Sequence, residues 1–144
     1  MSRQVSVSRV IQAPPEKIFD VLADPAKHPV IDGSGSVQKP LPGNPDRLSL
    51  GAKFGMSMKI GLPYRIRNTV VEFEEGRKIA WRHFGRHRWR YELEPVDGGT
   101  RVTETFDYST ALSPRAIELL GYPRKHPKGM EETLERLARH VTSG

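Results

Sequence analysis

The sequence predicts an α+β fold, an antiparallel sheet of about six to seven strands covered by a long C-terminal helix. Three observations carry this. Residues 77–108 read as three consecutive strands joined by two tight turns, with side chains alternating at period two. Strand-like segments on either side bring the run to about six before any second helical pattern begins. From Pro127 onward, Met130, Leu134, Leu137, Ala138 and Val141 then share one face at the 3.6-residue period. An aromatic sheet face has to be kept from water, and this helix has the apolar stripe to cover it.

The elements follow in order. Residues 4–12 form a strand whose apolar positions change parity between Val7 and Val10, so a bulge or bend is expected there. Ala13-Pro14-Pro15-Glu16 starts a helix, with proline in its first turn and an acid beside the positive helix end. Ile18, Phe19, Val21 and Leu22 give it an apolar stripe, Asp24-Pro25 ends it, and one short turn follows through His28. Residues 31–50 are rich in Gly, Ser and Pro, which leaves loops around one short strand at residues 37–39. Phe54, Met56, Met58 and Ile60 form the apolar face of the next strand, and Gly61-Leu62-Pro63 turns it into another. That strand presents Tyr64, Ile66, Asn68 and Val70, and Val71 and Phe73 break its register near the end. Ser113-Pro114 caps a short helix through Leu120. Gly121, Pro123 and Pro127 are expected to keep it separate from the terminal helix.

At 144 residues the chain is expected to be one domain, residues 1–144, with a sizeable core. Hydrophobic residues at 36% and charged residues at 28% fit a globular protein rather than a disordered one. A net charge of +6 favours acidic partners without choosing among them. With no cysteine, disulfides, thiol catalysis and cysteine-ligated metals are excluded. Neither a signal-peptide pattern nor an apolar run of membrane-spanning length is seen, so a cytoplasmic location is the default expectation.

Several stretches are familiar. Residues 7–19 (Val7-Ser8-Arg9-Val10-Ile11-Gln12-Ala13-Pro14 and onward), with Leu22-Ala23-Asp24-Pro25, resemble the opening of the polyketide cyclase/dehydrase-like branch of the START-related (SRPBCC) superfamily. So do Arg77-Lys78-Ile79-Ala80-Trp81-Arg82, Tyr91-Glu92-Leu93-Glu94-Pro95, Gly98-Gly99-Thr100-Arg101-Val102-Thr103-Glu104 and residues 130–137. The resemblance spans nearly the whole chain. It implies the helix-grip architecture, a curved antiparallel sheet wrapped around a long C-terminal helix with a hydrophobic cavity between them. Many relatives carry a tryptophan shortly after the first helix, where His28-Pro29-Val30-Ile31 stands here. No catalytic set is shared across the superfamily, so none is carried over.

Strand register places the inward polar groups. A two-residue Asp97-Gly98 turn sets Leu93 opposite Val102, Tyr91 opposite Glu104 and Trp89 opposite Phe106. A three-residue loop, Gly85-Arg86-His87, pairs His83 with Trp89 and Trp81 with Tyr91, and a Glu75-Gly76 turn sets Asn68 opposite His83. Asn68, His83, Tyr91 and Glu104 then share one wall. His83 and Glu104 fall on the order of 10 Å apart along the backbone, two contacts to one guest rather than a preformed dyad. A buried Glu104 without a partner would be held neutral and become a proton donor; paired with Tyr91 it is an ordinary core group. His28 and Asp32 lie in a loop at the expected cavity mouth, where a plain surface role is the simpler reading. The spacing of His83 and His87 across a turn does not make a metal site, and Gly33-Ser34-Gly35 lacks the setting of a phosphate loop.

The expected function is binding or carriage of a small hydrophobic, aromatic or lipid-like molecule, with no cofactor and no metal. Phe54, Met56, Met58, Tyr64, Trp81, Trp89, Tyr91, Phe106, Met130, Leu134 and Leu137 would line the site, and Asn68, His83 and Glu104 would orient polar atoms of the ligand. The alternative is a cyclase or dehydratase with His83 and Glu104 as acid–base groups. A third possibility is an RNA-binding or anionic-surface module built on Arg65, Arg67, Arg82, Arg88, Arg90 and Arg101 of the outer face. Glu92 and Glu94 interrupt that stripe, and the aromatic residues point the other way, so a solvated outer face is the better account and nucleic acid the weaker partner.

Overall fold

The computed structural model describes residues 3–82 and 86–142. His83 and Gly85 lie outside the described residues, as does the side chain of Ile60. Seven strands form one antiparallel sheet: β1 (Gln4–Ile11), β2 (Val37–Pro40), β3 (Lys53–Ile60), β4 (Leu62–Glu74), β5 (Lys78–Arg82), β6 (Arg88–Val96) and β7 (Gly99–Asp107). Their spatial order is β1-β7-β6-β5-β4-β3-β2, so six strands run as a meander and the first strand returns beside the last. Helices α1 (Pro15–Leu22), α2 (His28–Ile31), α3 (Pro114–Leu119) and α4 (Tyr122–Thr142) complete the chain. This is the helix-grip fold.

The core lies where α1 and α4 meet the inner face of the sheet. Ile18, Phe19 and Leu22 of α1, Leu134, Leu137 and Val141 of α4, and Ile79, Leu93 and Val102 of the sheet are all buried in one cluster. The first helix starts where proline in its first turn allows it, and Asp24 stops it by accepting from the Ala26 amide at 3.0 Å.

Three expectations about local structure are corrected. The first strand has no bulge: its pairing with β7 runs unbroken from Gln4↔Asp107 to Ile11↔Thr100. Val10 turns outward and is 47% exposed, a cost a single apolar residue can carry. The β5–β6 pairing is Trp81↔Trp89 and Ile79↔Tyr91, two residues from the expected register, with residues 83–87 between the paired Arg82 and Arg88. An even slip leaves each paired side chain on its own face, so Trp81, Trp89 and Tyr91 stay on the wall. The terminal helix begins at Tyr122 rather than after Pro127. Pro127 forfeits the one backbone bond its amide would give the Pro123 carbonyl, and burial of Met130 and the residues beyond it holds the helix together across that gap.

Other expectations hold. The β6–β7 register is Trp89↔Phe106, Tyr91↔Glu104 and Leu93↔Val102, and β4 shifts register between Val70 and Glu72.

Candidate functional site

A cavity of about 610 Å³ lies between the sheet and the helices. Phe54, Met56 and Met58 from β3, and Tyr64, Ile66 and Asn68 from β4, form one side. Trp81, Trp89, Tyr91 and Glu104 continue the wall across β5, β6 and β7. The roof is His28 and Ile31 of α2, residues 32–37, and the first turns of α4 from His126 to Thr133. Expected site residues Phe54, Met56, Met58, Tyr64, Asn68, Trp81, Trp89, Tyr91, Glu104 and Met130 are thus brought together.

Phe106, Leu134 and Leu137 are not on the cavity surface, which corrects their expected place. Phe106 packs behind Trp89 (ring centroids 4.8 Å apart) in a cluster with Tyr108 and Met130. Leu134 and Leu137 lie about one and two turns beyond Met130, roughly 6 and 10 Å along the helix axis, inside the main core. One heptad-like stripe therefore serves two purposes, and Met130 is where core gives way to cavity.

His28 also departs from expectation, because it is buried rather than at the surface. Its ring stacks on Trp81 at 4.7 Å and meets the edge of Phe54 at 5.3 Å. Nε2 lies 2.8 Å from the Leu22 carbonyl and donates to it. Burial lowers its pKa, so the ring is neutral near pH 7 and Nδ1 is left as an acceptor. No local pattern marks this histidine as buried, because its ring contacts come from strands distant in the sequence.

The Glu104 carboxylate is placed deep in the wall, 3% exposed. Burial pushes its pKa up to about 8; a hydrogen bond from Tyr91 opposes the rise, and the negative charge of Asp32 adds to it. Burial and the neighbouring Glu104 likewise raise the Tyr91 hydroxyl well above its usual range. At neutral pH the wall therefore presents a carboxylic acid, a phenol and the Asn68 amide, all uncharged.

The roof is fastened by its own polar groups. Asp32 accepts from the Ser34 amide and hydroxyl and from the Val37 amide, fixing the loop as a compact turn. Thr133 Oγ1 accepts from the Gly33 amide at 2.8 Å and donates to the Gly129 carbonyl at 3.0 Å. Gly33 is required by this approach, since a Cβ there would sit 2.5 Å from both the Gly129 oxygen and the Thr133 nitrogen. Both are helix backbone and cannot swing away. Gly33→Ala is expected to cost about 1–3 kcal/mol in urea unfolding, with the loop displaced from α4. An unchanged midpoint would show that the loop does not bear on the helix.

On the outer face the arginine stripe is partly neutralised. Glu72 accepts from Arg88 at 2.8 Å and from Arg90 through both oxygens at 2.9 and 2.8 Å, and Arg90 also donates to Asp107 at 3.1 Å. The Arg90 hydrogen bond, reinforced by Arg88, holds the Glu72 carboxyl at about 2 against the effect of burial. Because its folded pKa lies below the unfolded value of 4.5, this contribution is complete above pH 4.5 and fades as pH falls toward 2. Glu72→Ala is expected to lose about 1–3 kcal/mol at pH 7 and much less at pH 2.5, read by urea unfolding at the two pH values. Arg88 and Arg90 are thus engaged within the sheet, which weakens the outer face as a binding surface.

Among the described residues, no helix is long and apolar enough to cross a membrane, and no group of three histidine or acidic side chains could hold a metal ion.

Comparison with known proteins agrees with this architecture. The chain is 38% identical over 150 residues to the uncharacterized protein Rv0088 of Mycobacterium tuberculosis strain H37Rv and 37% identical to MT0096 of strain CDC 1551. Each match covers 98% of this chain but only 65% of the relative's length. Protein CV1439 from Chromobacterium violaceum superposes with a TM-score of 0.76 at 20% identity, covering 98% of this chain and 99% of that one. The AHSA1-like protein from Aeromonas hydrophila gives 0.70 at 18% identity, over 96% and 91%. These structures share the fold. Residues 2–142 match the model of one family, and the chain belongs to it: polyketide cyclase/dehydrase and lipid transport, within the START-related superfamily.

Proposed function

We propose that the protein binds a small, largely apolar molecule in the cavity between its sheet and α4. The observation that carries this is the cavity itself. Its volume of about 610 Å³ falls within the roughly 300–1,000 Å³ usual for small-molecule sites. Aromatic and methionine side chains make its walls, and Asn68, Tyr91, Glu104 and His28 converge as a few polar groups within it. Phe54, Met56, Met58, Trp81, Trp89 and Met130 supply contact area, and the methionines can adjust to the guest's shape. His83, expected among the orienting groups, lies outside the described residues.

Both tryptophans of the chain line the cavity, so their fluorescence is a direct reporter of occupancy. Native mass spectrometry of the purified protein and of its organic extract is expected to show a bound apolar molecule. Adding that molecule back to stripped protein should change tryptophan emission in a saturable way. An always-empty protein whose emission responds to no apolar compound would overturn the reading.

A second reading, a cyclase or dehydratase, is favoured by one specific feature: Glu104 is held as a carboxylic acid near neutral pH, a state suited to giving up a proton. Under it, Glu104→Gln abolishes turnover while ligand affinity survives. Under simple carriage, the bound molecule is recovered unchanged.

A further inference from the structure

The Glu104 carboxyl is placed in an unusual way for a core acid. It lines the cavity, is 3% exposed, and faces its cross-strand partner Tyr91. Its Oε1 is buried with no hydrogen-bond partner among the described residues. A native fold rarely leaves such an atom unsatisfied, and in a binding cavity the missing partner is naturally a group on the guest. We infer that Oε1 of Glu104 carries a proton and donates it in a hydrogen bond to an uncharged acceptor on the ligand, so the preferred guests are apolar ketones, aldehydes or esters. This rests on the cavity being the binding site and adds the chemical class of the guest.

The direction of donation follows from the neighbours. Tyr91 supplies an O–H donor to the carboxyl, so the second oxygen is the one left to carry the acid proton. Burial and the negative field of Asp32 both favour the protonated acid, which is neutral below about pH 8. The same field acts against an anionic guest at this spot, so a carbonyl is preferred over a carboxylate of the same shape. No bond to carbon forms or breaks; the proton stays on Glu104 and is shared in a hydrogen bond.

The test uses three matched probes: 4-phenylcyclohexanone, phenylcyclohexane and 4-phenylcyclohexanecarboxylate. Binding is followed through the emission of Trp81 and Trp89 at pH 6.5 and pH 9.5. The ketone is expected to bind roughly tenfold tighter than the hydrocarbon at pH 6.5, the worth of one good hydrogen bond, and to lose that advantage at pH 9.5. The carboxylate should bind no better than the hydrocarbon. Glu104→Gln keeps a donor that cannot ionise, so its ketone preference should persist at both pH values. Glu104→Leu should bind all three probes without a ketone preference.

Other titratable groups facing the cavity are His28, Asp32, Tyr64, Tyr91, His126, Lys128 and Glu132. Glu104→Gln retains every one of them, so pH dependence that survives in this variant belongs to them. Equal ketone and hydrocarbon affinity in the wild type at pH 6.5, or a ketone preference surviving in Glu104→Leu, would defeat the inference and leave the cavity reading intact. Failure of all three probes to bind would strike the cavity reading itself.

Discussion

Replacing Glu104 by glutamine is expected to make the protein more stable at pH 9.5 and to leave it almost unchanged at pH 4.5. The folded chain holds this carboxyl protonated to about pH 8, whereas the unfolded chain releases the proton near 4.5. Between those values the native state binds more protons than the unfolded state, so stability falls as pH rises, and above about 8 the loss is complete. At about 1.4 kcal/mol per pH unit, the wild type gives up on the order of 5 kcal/mol across that window. Glutamine has the same shape, still accepts from Tyr91 and has no proton to lose. Urea unfolding of both proteins at pH 4.5, 7 and 9.5 should show stability curves that diverge with rising pH, the variant above. Parallel curves would mean that Glu104 is solvated in solution, and the neutral wall described above would have to be abandoned.

The second large effect separates core from cavity. Leu137 is fully buried in the main cluster, whereas Met58 lies on the cavity wall. Leu137→Ala opens a new void among close-packed neighbours and is expected to cost about 3–5 kcal/mol. Met58→Ala enlarges a space that already exists, creates no separate void, and should cost about 1–2 kcal/mol. Probe affinity should respond in the opposite sense, changing for Met58→Ala and holding for Leu137→Ala measured under folding conditions. Chemical denaturation paired with tryptophan-detected titration reads both. Equal destabilisation by the two substitutions would show that the cavity is collapsed in solution.

How far the chain can be read in advance depends on what sets each feature. The β6–β7 register was legible because Asp97-Gly98 names its own turn, and the pairing of Tyr91 with Glu104 follows by counting. At the β5–β6 connection no residue pair dictates loop length, and the pairing differed by two residues, yet parity kept Trp81, Trp89 and Tyr91 on the wall. Pro127 reads as a helix boundary, since local preference is all a sequence shows; tertiary burial of the residues after it outweighs that preference. The same limit explains Leu134 and Leu137. Helical period tells which residues share a face, but not where along that face the sheet curves away to leave a cavity. His28 was hidden for a related reason, its burial depending on Trp81 and Phe54 from distant strands.

The placement of β1 beside β7 has a bearing on how the chain comes to be folded. Gln4 pairs with Asp107, and the whole ladder joins residues about ninety to a hundred positions apart. At roughly 5–20 residues per second of synthesis, the partner of the first strand emerges on the order of ten seconds after it. During that wait Val5, Val7 and Ile11 have no strand to pair with, while the hairpins from β3 to β7 can close one after another as they appear. Within the sheet, the first strand made is the one whose partner is made last.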